Sequence, residues 1–178
     1  MNNYLEPISL TSKEFDEIIS LVEKTCPNQC VISIERVVNP ALYDRYFNYQ
    51  ISLGESSKEI TLFHGTKYES ILAICTNGFQ KSKNTRAVFG LGTYLATAFG
   101  YSKQYSSGYT NGKTYDLKEK YNCLLVCKLA YNKATRGTSN SPCPDGFDVQ
   151  VDNTSNPTIF SVHNDVAIYP QYVVRFYQ

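Results

Sequence analysis

The stretch EITLFHGTKYESILAICTNG, residues 59–78, decides how the rest of this chain is read. Its first half is a short apolar run ending at Gly65, the pattern of a buried strand. Its second half has the spacing of a short helix, stopped by Gly78 in the left-handed capping position. Working outward, FGLGTYLA (89–96) resumes extended structure after a polar and basic loop at 80–86. YNCLLVCKLAYN (121–132) is the most apolar strand pattern of the chain, and PTIFSVHNDVAIYPQYVVRFYQ (157–178) gives two more strands around the NDVAIYP turn. Toward the N-terminus, CVISIERVV (30–38) alternates apolar and polar residues as a strand does. Asn39 and Pro40 then fit the cap and first turn of a helix with an aromatic face of Leu42, Tyr43, Tyr46 and Phe47. Before them, TSKEFDEIISLVEKTC (11–26) reads as an amphipathic helix, with Thr11 and Glu14 at capping-box spacing. Segment 107–119 is turn-rich, and 135–157 reads as one long loop. Many strands joined by short helices predict an α+β fold with a mainly antiparallel core.

A chain of 178 residues can bury one sizeable core, so a single domain over 1–178 is expected. Seventeen Lys plus Arg against sixteen Asp plus Glu leave a net charge of +1. No long-range field gathers nucleic acid or an anionic membrane, and neither is an expected partner. No run of about 18 apolar residues and no basic-then-apolar start is present, so no membrane span or leader is expected. The six cysteines therefore read as reduced thiols of an intracellular protein, cytoplasmic or nuclear. Cys26 and Cys30 are spaced like half a zinc site, but with only His64 and His163 and no second pair, no metal is expected. GLGTY lacks the G-x-G-x-x-G spacing and the long helix of a dinucleotide-binding βαβ unit. No heptad pattern speaks to oligomeric state.

Three segments put unusual residues at strand ends or turns: LFHGT (62–66), GLGTYLATAFGYSKQYS (90–106), and NPTIF with IYPQY (156–160, 168–172). Taken singly, His64 reads as a core histidine bonded to a carbonyl, and any one of fifteen tyrosines as a cover for the core. Taken together they suit a planar aromatic ligand. Two tyrosine rings can stack on it, and a hydroxyl beside Gly65 can hold a carboxamide at its edge.

The LFHGT, G-x-G-T-Y-x-A, Y-S-x-x-Y and Y-P-x-Y-V-V elements, in this order, resemble the catalytic domain of PARP-type ADP-ribosyltransferases. The resemblance runs from about Val31 to the end. It is strongest to mono-ADP-ribosylating, macrodomain-associated members, which share the segment seen here as IERVVNPAL (34–42). It implies two packed, mainly antiparallel sheets with short flanking helices, and a core of about 31–178 on which the helix at about 12–26 packs. It further implies NAD as substrate, no metal, and a protein acceptor. By position, His64 would hold the adenosine ribose and Gly65 would pair its backbone with the nicotinamide amide. Tyr94 and Tyr105 would stack on nicotinamide, and Ser102 would bond the carboxamide oxygen. Residues 80–89 would close over NAD and 142–156 would lie beside the acceptor. The third catalytic position, glutamate in polymerising members, falls ten residues before Tyr169 on Ile159, which implies one transfer without chain growth. A catalytically silent binding module and a transferase acting on nucleic-acid ends are the other readings of the resemblance. The chain departs from the family pattern at Leu95, His163 and Gln171. With room for one helix and a strand ahead of the core, no gating helical domain is expected.

Overall fold

The structure is a computed structural model that describes residues 4–83, 87–106 and 121–177. Among these, nine strands form a mixed sheet in the order β1-β2-β9-β5-β3-β4-β8-β7-β6. In chain order they are β1 (Leu5–Pro7), β2 (Val31–Val37), β3 (Lys58–Gly65), β4 (Thr93–Ala96), β5 (Asn122–Tyr131), β6 (Ala134–Arg136), β7 (Val149–Val151), β8 (Ile159–Val162) and β9 (Ile168–Phe176). Helices α1 (Lys13–Glu23), α2 (Pro40–Ser52), α3 (Tyr68–Asn77) and α4 (Phe99–Ser102) flank it. All pairings are antiparallel except β6 with β7.

Strand β5 shows how the sequence builds the core. It pairs with β9 on one side and β3 on the other, and all its residues but Lys128 are buried. Its side chains alternate between faces. Leu124 and Val126 meet Ile18 and Val22 of α1 and Phe99 of α4, whereas Leu125, Cys127 and Leu129 meet Ile71 and Cys75 of α3. With helices on both faces the strand needs no polar side, and so reads as a continuous apolar run. Each fully buried Leu or Val contributes about 1.5–3 kcal/mol.

The expected two sheets are hydrogen-bonded into one order, joined through a single residue pair, Phe63 with Ala96. The two halves also share a core, since Leu62, Leu125 and Val173 cluster with Val149, Val151 and Val162. Three local expectations are corrected. Helix α1 is capped by Ser12, whose hydroxyl accepts from the Phe15 amide at 3.2 Å, not by Thr11. Glu14 instead takes an ion pair from Arg36 and a hydroxyl bond of 2.8 Å from Tyr172, docking α1 onto the sheet. Gly78 ends α3 at φ 85°, as a glycine can, but ψ 178° lies outside the left-handed helical region. Residues 135–157 are not one loop, because β6 begins at Ala134 and β7 occupies Val149–Val151. Strand β1, which the sequence does not announce, pairs with β2 from Leu5 to Pro7. The turn-rich reading of 107–119 lies outside the described residues.

Candidate active site

Strand β3 brings His64 and Gly65 to its end, where the ladder to β4 has stopped after the Phe63–Ala96 pair. Past that pair a side chain takes over from the backbone, and His64 Nδ1 lies 2.7 Å from the carbonyl oxygen of Tyr94. A carbonyl only accepts, so Nδ1 carries the proton. Burial lowers the imidazole pKa, and the Tyr94 bond opposes this only in part. The ring is therefore neutral at pH 7, with the Nε2 lone pair left to accept a hydroxyl. Phe79 packs perpendicular to the imidazole, with ring centroids 5.1 Å apart, and so restricts its plane.

Gly65 sits where any other residue would collide. A Cβ there would lie 1.8 Å from the carbonyl oxygen of Ser102. The glycine thus lets α4 close onto the end of β3, and the Ser102 hydroxyl completes the contact by donating to Phe63 O at 3.1 Å. Ser102 and Tyr105 lie three residues apart but do not share one α-helix. Helix α4 ends at Ser102, and a 3-10 turn, Lys103–Tyr105, carries the tyrosine. Since the one proton of Ser102 is spent on Phe63, its oxygen is left as an acceptor.

Tyr94 is held at both ends. Its backbone belongs to β4, while its hydroxyl accepts from the Phe89 amide at 2.8 Å and donates to Gly90 O at 2.9 Å. Ile159 opens β8 opposite Ala96. Its amide and that of Thr158 both donate to Asp152 at 2.9 Å, so this carboxylate organises the turn leading into Ile159. Burial opposes ionisation of Asp152, but bonds from Thr158 and the backbone amides win and lower its pKa.

His64, Gly65, Tyr94, Ser102, Tyr105 and Ile159 all line one cleft of about 450 Å³. That volume lies within the range of small-molecule sites, about 300–1,000 Å³. A second hollow of about 140 Å³ shares His64, Thr66, Ser70 and Lys83 with it, so the groove continues past the imidazole along α3. None of the described residues lining the cleft is Asp or Glu, whereas Lys67 and Lys83 are among them. No motif marks either lysine. Their signal was position alone, one directly after LFHGT and one in the basic stretch 80–86. Within the described residues no group of three or more His, Cys, Asp or Glu could hold a metal ion, and no helix is long and apolar enough to cross a membrane. Asn84, Thr85 and Arg86 of the expected closing loop lie outside the described residues.

The family model described as the poly(ADP-ribose) polymerase catalytic domain matches residues 12–141. The chain is similar to human protein mono-ADP-ribosyltransferase PARP11, 28% identical over 199 residues that cover 97% of this chain and 59% of the relative. Human protein mono-ADP-ribosyltransferase PARP14 is 29% identical over 173 residues, 92% of this chain and 10% of the relative. Human protein mono-ADP-ribosyltransferase PARP12 is 27% identical over 184 residues, 95% of this chain and 25% of the relative. The chain thus spans less than two thirds of the length of each of these relatives.

Proposed function

This chain belongs to the poly(ADP-ribose) polymerase catalytic-domain family, and from that premise we propose that it transfers a single ADP-ribose unit from NAD to a protein side chain, releasing nicotinamide. The observation that carries the reading is the shared cleft, in which an imidazole, three phenol rings (Tyr94, Tyr101 and Tyr105), a buried serine and a side-chain-free backbone converge, with no carboxylate among the described lining residues. Nicotinamide stacks between Tyr94 and Tyr105, its carboxamide against Gly65 and Ser102. The neutral His64 accepts a ribose hydroxyl of the adenosine half at Nε2. Lys67 and Lys83 face the diphosphate.

The bond from the ribose to the nicotinamide nitrogen then breaks, and its electron pair leaves with nicotinamide. The sugar carbon becomes oxocarbenium-like, and an acceptor oxygen closes the new bond on it. Holding both halves of the dinucleotide in place lowers this barrier without a protein nucleophile. A carboxylate acceptor, ionised at neutral pH, needs no general base from the enzyme, which favours Asp and Glu side chains as acceptors. The Ile159 side chain offers no hydrogen-bond acceptor to activate a ribose hydroxyl for a second round, so transfer stops at one unit. Six free thiols fit an intracellular setting, cytoplasmic or nuclear.

Incubation with NAD labelled in its adenylate half and a whole-cell extract tests the reading. Discrete labelled proteins are expected, with labelling lost in His64→Ala and Tyr94→Ala variants that keep the wild-type circular dichroism. Ladders, or full labelling by both variants, would contradict it.

A further inference from the structure

Three donors converge on the carbonyl oxygen of Gly90. They are the Tyr94 hydroxyl at 2.9 Å, the Ser161 hydroxyl at 3.2 Å and the Gly92 amide at 3.2 Å. Tyr94, Ser161 and Gln150 stand abreast on β4, β8 and β7, each paired in register with the next, and so share one face of the sheet. The turn 89–92 lies directly on that row. A Cβ on Gly90 would come 1.9 Å from Gln150 Oε1, and one on Gly92 would come 2.6 Å from Ser161 Oγ. Gly90 also holds φ at 115°, which residues with a side chain rarely adopt.

Ser161 and Gln150 are 0% and 1% exposed, and neither lines the cleft. A buried hydroxyl costs free energy unless it is bonded, and an apolar residue would pack the same site without that cost. The bond Ser161 makes is to the same atom that anchors Tyr94.

We propose that Ser161 is a positioning residue for the transferase. Its hydroxyl pins the Gly90 carbonyl, that carbonyl fixes the Tyr94 hydroxyl, and the phenol ring is thereby held ready for stacking before any ligand arrives. Gln150 is the floor against which Gly90 seats. A ring already ordered gives up less freedom when nicotinamide binds, which is how such a tether raises affinity and rate. The inference rests on the reading of Tyr94 as a stacking residue.

The test compares wild type, Ser161→Ala, Tyr94→Phe and the double variant by nicotinamide release at varied NAD. Ser161→Ala is expected to lower kcat/KM about three- to ten-fold, the span of one hydrogen bond. In the Tyr94→Phe background the same change should matter less than about two-fold, because the hydroxyl that the carbonyl would hold is gone. Equal losses in both backgrounds would overturn the proposal, since a general structural role would act in either. Protein labelled with 13C-tyrosine reports the ring without turnover, its Tyr94 signal being the one lost in Tyr94→Phe. A shifted or broadened Tyr94 signal in Ser161→Ala supports the tether, and an unchanged one overturns it. If wild type releases no nicotinamide while that signal still responds, the transferase reading fails and the tether stands. Should Ser161→Ala not fold, Ser161→Cys, of similar size and with a weaker donor, takes its place in both measurements.

Discussion

At His64 the two ring nitrogens have separate tasks, Nδ1–H bonded to Tyr94 O and Nε2 left to accept. Burial lowers the ring's pKa from 6.5, and this sets a pH dependence. Protonation turns Nε2 into a donor, so NAD turnover should hold at pH 6.5 and fall as pH drops through the lowered value. Stability follows the same sign. The folded ring is harder to protonate than the unfolded one, so its contribution is complete above about 6.5 and is lost as pH falls. His163 is lowered by burial too and by Lys81, so the His64→Gln variant is needed to isolate the effect. In a profile of kcat/KM against pH the acidic limb should be absent from that variant, and its persistence there would assign the limb elsewhere. That these residues share one cleft was legible because each stands in a short motif with a chemical reason, an imidazole before a glycine or two tyrosines flanking a serine. The direction of the Ser102 hydroxyl was not readable. It depends on the carbonyl of Phe63, 39 residues away in sequence.

Among the elements, the long ones declare themselves and the short ones do not. Helix α2 begins as its Asn-Pro signal implies, and Asn39 does more than cap. Its side chain accepts from the Leu42 amide at 3.3 Å and donates to Cys75 O and Thr76 O, each at 3.0 Å, tying the start of α2 to the end of α3. Replacing it with alanine removes a cap and strands carbonyls around a side chain only 4% exposed. The expected cost of Asn39→Ala is about 2–4 kcal/mol in chemical denaturation. A loss below about 1 kcal/mol would show that the bridge carries little. The short strands β1, β6 and β7, three residues each, are silent in the sequence because three residues cannot display a period. They are made by register with neighbours, Leu5 opposite Val37 and Val149 opposite Val162, and such pairing is not local information. The capping position of α1 slipped by one residue for a similar reason. Thr11 and Ser12 are both competent caps, and the choice follows from Glu14 being drawn off to Arg36 and Tyr172 on the sheet.

Over the whole molecule, one discontinuity makes the site. The sheet runs unbroken through β9, β5 and β3, narrows to the Phe63–Ala96 pair, and widens again into β8 and β7. The cleft opens beside that junction, so residues from β3, β4, β8 and α4 reach one space, with two lysines and no described carboxylate among them. The α+β class was legible from the alternation of apolar runs with short helices. The junction itself was not, because a sequence shows which segments are strands and leaves open how far two of them stay paired. In the proposed reaction this cleft, with isoleucine at the third position, adds ADP-ribose once and stops. Mass spectrometry of acceptor peptides after reaction with NAD reads this directly. Each modified side chain should carry the mass of one ADP-ribose, and none should be modified by the His64→Ala protein. Serial ADP-ribose increments on a single side chain, or no increment from a folded wild-type protein, would contradict it.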